Sequence, residues 1–184
     1  MAPLPHRGDI PSQRQWPKAV ARSEGSPRLW PLAVAIAILA LVWLWLQSIP
    51  PQQALVSRVI DGDTIELANG DLVRYIGVDT PEVRRRQGER WVEDPEPFGR
   101  EATEANRRLV EGRLVRLEYD VQPRDRYNRW LAYVYVGDRM VNAALLEDGY
   151  AQPMTIPPNI RHAEEFRRLT EFARQSHRGL WAED

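Results

Sequence analysis

"ALVSRVIDGDTIELANGDLVRYIGVDTPE", residues 54–82, decides the fold. Its β-branched and aromatic residues fall into short runs separated by turn formers, the signature of successive strands. Asp61-Gly62-Asp63 marks a tight break before "TIEL", and Asn69-Gly70 reads as a hairpin turn in which both central residues need φ > 0. Carboxylates usually sit on solvated surfaces. Here Asp63, Asp79 and Glu82 stand at strand ends, and Arg74 interrupts the most apolar run between them. A bland reading pairs Arg74 with Glu66 across the hairpin, a surface ion pair worth about 0.2–1 kcal/mol.

Working outward, the chain has 184 residues, enough for one ordinary domain with a real core plus additional sequence. Cysteine is absent, which excludes disulfide frameworks and thiolate zinc sites. The net charge of −1 conceals an asymmetry. Residues 1–49 carry Arg7, Arg14, Lys18, Arg22 and Arg28 against Asp9 and Glu24, so the remainder is negative. A negative domain does not hold a polyanion by bulk charge; local arginines or a metal ion would have to meet it.

Residues 1–28 are polar and proline-rich with no helical or strand period, and read as a disordered cytoplasmic tail. Residues 29–46, "LWPLAVAIAILALVWLWL", form an uncharged run with tryptophans near both ends, which reads as a transmembrane signal-anchor helix in contact with a lipid bilayer. Positive charge precedes it, so the N-terminus is expected in the cytoplasm and the following domain in the periplasm or outside the cell. Cleavage as a signal peptide, giving a secreted protein, is the alternative, and a buried soluble helix would normally show a polar face. Residues 47–54 form a Pro/Gln linker, and residues 55–184 a single domain without internal repeats.

After the opening strands, "GREATEANRRLVE" places Ala102, Ala105 and Leu109 at helical spacing. Strands follow at "RLVRLEYDV" and "RWLAYVYV", and Gly137-Asp138 turns the second back into "RMV". A short helix "NAALLEDG" should end at Gly149, and a last helix "HAEEFRRLTEFARQSHRG" carries Phe166, Leu169 and Ala173 on one face. Three strands, a helix, two strands and two helices match a small five-stranded β-barrel of OB type with helices, the alternative being an open α+β sheet.

Hard carboxylate oxygens without His or Cys partners suit Ca²⁺ or Mg²⁺ rather than zinc. Asp63 and Asp79 are two such ligands if the strands they bound are neighbours. Taken singly, "DGD" is more often a turn, "DTPE" a helix entry and "RDRYNRW" a solvated loop.

Taken together and in order, "VIDGDTIEL", "VRYIGVDTPE", "FGREA", "RDRYNRWLAYVYV" and "MVNAALLEDGYA" resemble the staphylococcal-nuclease-like (thermonuclease) family across residues 55–184. The resemblance implies an OB-fold endonuclease that cleaves DNA and RNA with little sequence preference and leaves 3′-phosphate ends. It implies Ca²⁺, with Mg²⁺ the weaker candidate, held by Asp63, Asp79 and the backbone carbonyl of Thr80. Glu82 is then the base that activates or orients water, and Arg74 and Arg129 are the phosphate-binding arginines. Asp61 falls near the metal, and Arg126 occupies a position where the family often has a basic residue near the substrate.

Two departures limit the carry-over. "AQPMTIPPN" offers Thr155 and Pro157 where the type member has base-stacking tyrosines, and Tyr150 nearby reads as a core aromatic. Stacking contributes about 1–3 kcal/mol per base, so base preference is open. The loop at residues 83–97 is longer than the type member's, and its Arg84-Arg85-Arg86 run reads equally as a guide for a polyanion or as a solvated basic loop. Trp91 has no assigned role, His162 and His177 read as surface or capping residues, and Trp181 should pack the C-terminal tail onto the barrel. A non-catalytic nucleic-acid or protein binding module on the same fold is the competing function.

Overall fold

The computed structural model describes residues 30–88 and 90–182, with backbone alone at 46–48, 84–87, 91 and 93. The expected tail over 1–28 lies outside the described residues. The chain divides into two compact units, 1–46 and 47–184.

Helix α1 (Trp30–Ser48), which begins in the first unit, carries no charge. Among the described residues no helix is long and apolar enough to cross a membrane. The side chains described along α1 run only from Trp30 to Trp45, about 24 Å of helix against a hydrocarbon core of about 30 Å. The bilayer span expected over 29–46 is therefore not shown.

In the second unit, strands β1 (Gln53–Val59), β2 (Thr64–Leu67) and β3 (Leu72–Tyr75) form a meander. Short strand β4 (Val78–Asp79) and the hairpin β5 (Arg84–Gln87) with β6 (Arg90–Glu93) follow, then helix α2 (Gly99–Val110). The chain continues through β7 (Leu114–Glu118), β8 (Trp130–Val136), β9 (Arg139–Met140), α3 (Val141–Glu147), β10 (Gln152–Pro153) and α4 (Ala163–Gln175). A 3₁₀ turn over Gly179–Trp181 ends the described chain. The sheet runs β3-β2-β1-β7-β8, and a parallel pairing of β3 with β8 closes it into the expected five-stranded barrel of OB type. The open-sheet alternative is thereby excluded. Trp130 seals the closure, donating its Nε1–H to Asp71 at 3.0 Å while the Arg124 guanidinium covers its ring.

Alternation fills the interior: Ile65 and Leu67, Val73 and Tyr75, Val115 and Leu117 all point inward and are fully buried. In β1 the buried pair is Val56 and Val59, a spacing of three, because the register with β2 shifts between Val56 and Arg58 and the extra residue restores the inward face. Helix α2 buries Ala102, Ala105 and Val110, with Leu109 at its edge, and α4 buries Phe166 and Ala173. Asn142, fully buried, ties α3 to the barrel: its Oδ1 accepts the Val134 N–H at 2.9 Å and its Nδ2 donates to the Ile76 carbonyl at 2.8 Å.

Several local expectations are corrected. Only Gly70 of the Asn69-Gly70 pair takes positive φ (87°). The Gly70 N–H donates to Leu67 O and the Leu67 N–H to Asp71 O, the pattern of a three-residue loop rather than a two-residue turn. Residues 84–93, expected as loop, form the β5–β6 hairpin; the side chains of Arg84–Arg86 and Trp91 lie outside the described residues. His162, expected as a surface or capping residue, is the N-cap residue of α4, its carbonyl accepting the Phe166 N–H at 2.9 Å. Its ring lies 4.5 Å from that of Tyr133, with Nδ1 3.0 Å from Glu165 and Nε2 3.3 Å from Glu118. Trp181 is half-buried under the Arg174 guanidinium. Tyr150, read as a core aromatic, does pack against the core, and it stacks on Phe98 with ring centroids 5.6 Å apart.

Candidate active site

Strand alternation turns Val73 and Tyr75 into the barrel and leaves Arg74 on the outer face opposite Thr64. Two carboxylates reach the same guanidinium. Arg74 Nη1 bonds Asp63 Oδ1, and Nη2 donates to Asp79 Oδ1 at 2.7 Å. Glu66 pairs instead with Arg58 at 2.6 Å, so the cross-hairpin alternative for Arg74 does not hold.

Asp63 has no exposed surface. Besides Arg74, its Oδ1 accepts from Thr64 Oγ1 at 3.2 Å, and its Oδ2 accepts from the Thr80 N–H at 3.0 Å and Thr80 Oγ1 at 3.1 Å. Burial pushes its carboxyl up to about 8, against the Arg74 charge and with help from Asp61. The turn that carries it is held twice. Asp61 Oδ1 accepts the Asp63 N–H at 3.1 Å. From α2, buried Asn106 donates to the Asp61 carbonyl at 3.0 Å while accepting from the Tyr75 hydroxyl at 2.8 Å. Gly62 is there for proximity, since a Cβ at that position would lie 2.5 Å from Thr80 Oγ1 and 2.7 Å from Thr80 Cβ. Asp79 comes from β4, which pairs with β10 through Gln152.

Beside this cluster is a cavity of about 560 Å³ whose wall includes Arg74, Glu82, Arg126, Tyr127, Arg129 and Ile156. Partial burial raises the Glu82 carboxyl, Asp61 adds to the effect and Arg74 opposes it. Arg129 Nε donates to Asp125 Oδ2 at 2.7 Å, which fixes the plane of its guanidinium fork. Asp125 Oδ1 accepts the backbone N–H groups of Tyr127 and Arg129, both at 2.9 Å, so one carboxylate shapes the turn and aims the arginine.

The structure thus brings Arg74, Glu82, Arg126 and Arg129 to one cavity, and brings Asp63, Asp79 and Thr80 together behind Arg74 rather than on the cavity wall. Two residues escaped the sequence reading. Tyr127, 65% exposed, is an aromatic ring on the wall, and Ile156 lines it where Thr155 does not. The "RDRYNRW" segment contained the first signal, an aromatic flanked by arginines; nothing in the pattern marked the second.

Among the described residues no three His, Cys, Asp or Glu side chains form a group that could hold a metal. The pair Asp63 and Asp79 still fits a hard cation by donor chemistry: both offer only oxygen, and both reach one positive group, Arg74.

The fold is a closed barrel of OB type that carries a carboxylate–arginine cluster beside a cavity with Arg74, Arg126 and Arg129 on its wall. Comparison with known proteins names the family. Residues 72–183 match the model of the staphylococcal nuclease homologue family. The chain is 34% identical to the thermonuclease of Staphylococcus intermedius over 163 residues, 82% of this chain and 94% of that one. It is 37% identical over 130 residues to the thermonuclease of Staphylococcus hyicus, 69% of this chain and 74% of that protein. With the endonuclease YncB of Bacillus subtilis it shares 37% identity over 130 residues, 68% and 59% of the two chains. The chain belongs to the staphylococcal nuclease homologue family.

Proposed function

We infer that the protein is a nuclease hydrolysing phosphodiester bonds of DNA and/or RNA with little sequence preference. The observation that carries this reading is the convergence of Arg74, Glu82, Arg126 and Arg129 on one cavity beside paired Asp63 and Asp79. The relatives named thermonuclease and endonuclease support it.

Each residue has a role in the reaction we propose. Glu82, on the cavity wall, takes a proton from the water that attacks phosphorus, which its raised carboxyl favours at neutral pH, while the P–O5′ bond breaks and the departing 5′ oxygen takes a proton from solvent. Arg129 presents its fork to phosphate oxygens, Arg74 adds a second guanidinium, and Arg126 supplies further positive charge. Asp61 holds the turn that places Asp63. We assign Ca²⁺, before Mg²⁺, to Asp63, Asp79 and the Thr80 carbonyl; when bound, it neutralises phosphate charge and makes water a better nucleophile. The products expected from the family are 3′-phosphates.

For location, we propose that the apolar segment 29–46 tethers the chain to a bilayer, with the N-terminus cytoplasmic and the nuclease domain periplasmic or extracellular. The supporting features are an uncharged run and a net positive charge on the residues before it. Protease added outside sealed spheroplasts should remove the domain; full protection would refute the orientation.

The test of activity is cleavage of single-stranded DNA and RNA by the full-length chain with added calcium, and with a chelator. Cleavage should require the cation, and Glu82→Gln should lower it about 10²–10⁴-fold. Tight binding without cleavage in calcium would favour the non-catalytic module instead.

A further inference from the structure

The chain leaves the barrel after Glu82, makes the β5–β6 hairpin and returns at Glu96, where the two residues meet in a reciprocal pair. Glu96 Oε2 accepts the Glu82 main-chain N–H at 3.1 Å, and the Glu96 main-chain N–H donates to the Glu82 carbonyl at 2.8 Å. The Asp94 N–H donates to Val83 O at 3.1 Å on the hairpin side, and the Gly99 N–H to Glu96 O at 3.0 Å on the helix side. The start of α2 closes in on the same peptide: a Cβ at Gly99 would lie 2.8 Å from the Glu82 carbonyl oxygen and 3.0 Å from that of Pro81. Phe98, held at φ 70° and stacked on Tyr150, anchors the returning strand.

Both main-chain polar groups of Glu82 are therefore engaged by one residue, and its carbonyl sits against a helix start with no room for a methyl group. A carboxylate at the end of a flexible side chain can be no better placed than the backbone that carries it. We propose that Glu96 is a positioning residue for the reaction: it pins the Glu82 backbone, through its side chain and its own N–H, against the start of α2 at Gly99. This rests on the reading of Glu82 as the base. Glu96 is itself exposed, so truncating its side chain leaves the folded barrel intact.

The experiment measures kcat and KM for single-stranded DNA in calcium, together with the thermal midpoint, for full-length wild type, Glu96→Ala, Glu96→Gln, Gly99→Ala and Glu82→Gln. A displacement of about 1 Å costs up to about 100-fold, so Glu96→Ala should lower kcat about 10–100-fold with KM and midpoint unchanged. Glu96→Gln keeps an oxygen for the Glu82 N–H and should restore kcat to within about threefold of wild type. Gly99→Ala should lower kcat at constant KM; should it fail to fold, the Glu96 variants decide alone. Wild-type kcat in Glu96→Ala, equal losses in the Ala and Gln variants, or an effect confined to KM would each overturn the positioning role. If Glu82→Gln is inactive while Glu96→Ala is wild type, only the positioning proposal fails. If Glu82→Gln is fully active, the base reading fails and the proposal goes with it.

Discussion

Gly62→Ala tests how the Asp63 cluster is held. The added methyl group would meet Thr80 Oγ1 at 2.5 Å, Cβ at 2.7 Å and Cγ2 at 2.8 Å, all inside distances that real Cβ contacts avoid. The backbone at Gly62 does not require positive φ, so the cost comes from the clash alone. Relief requires Thr80 to withdraw, and Thr80 supplies both hydrogen bonds to Asp63 Oδ2. A buried acceptor left without its partner costs about 1–3 kcal/mol, so losing both bonds costs about 2–6 kcal/mol around a side chain with no solvent to replace them. For a domain of this size that lowers the thermal midpoint by about 7–20 °C. The assay is a double-mutant cycle in urea with Thr80→Gly, which removes the three atoms in the way. In that background Gly62→Ala should be neutral, or stabilising by up to about 1 kcal/mol through the unfolded chain. Equal destabilisation in both backgrounds would show that Thr80 is not what Gly62 makes room for.

Three further outcomes follow from other parts of the molecule. Asn142→Ala leaves the buried Val134 N–H and Ile76 C=O without partners and should cost about 2–5 kcal/mol in urea unfolding; a loss below 1 kcal/mol would mean that water or backbone shifts replace both bonds. Ile156→Tyr places a ring on the cavity wall and should lower KM for single-stranded DNA about tenfold, an unchanged KM removing that wall from the substrate path. The third concerns pH. Burial raises the Glu118 and Asp120 carboxyls, but bonds from Arg161, His162 and Tyr135 to Glu118, and from Arg161 and Tyr133 to Asp120, outweigh it and hold both below their usual 4.5 and 3.8. Depressed carboxyls contribute stability that is present above the unfolded values and lost as pH falls through the folded ones. Arg161→Ala should therefore weaken the domain at pH 6 and differ progressively less from wild type below about pH 4; a constant difference down to pH 2 would refute the linkage.

Much of the barrel was legible because its physics is local. Val73 and Tyr75, Val115 and Leu117 alternate at the strand period, and Ala102 and Ala105 recur at the helical one. What was not legible depends on partners distant in the chain. The β5–β6 hairpin carries consecutive arginines with no apolar alternation, so no periodic signal marks it as strand. Val56 and Val59 break the period of two because a bulge intervenes, and a bulge is defined by the neighbouring strand. Tyr127 reaches the cavity wall only because Asp125 folds its turn, and Ile156 because the segment after β10 runs along the same wall.

The site shows the same division more sharply. The residue types at Asp63, Arg74 and Asp79 were evident, but not who would pair with whom. That depends on a single turn. With a two-residue loop at Asn69-Gly70, the hairpin would set Arg74 opposite Ile65, a fully buried core position, and the pleat would drive a guanidinium toward the interior. The three-residue loop, with Gly70 alone at positive φ, moves the register by one residue and sets Arg74 opposite Thr64. Glu66 then pairs with Leu72 in the register and turns to Arg58, while Asp63, the residue before Thr64, comes within reach of the Arg74 guanidinium. One backbone angle, permissible to glycine at little cost, therefore selects between a buried unpaired cation and the carboxylate–arginine cluster on which the proposed chemistry depends.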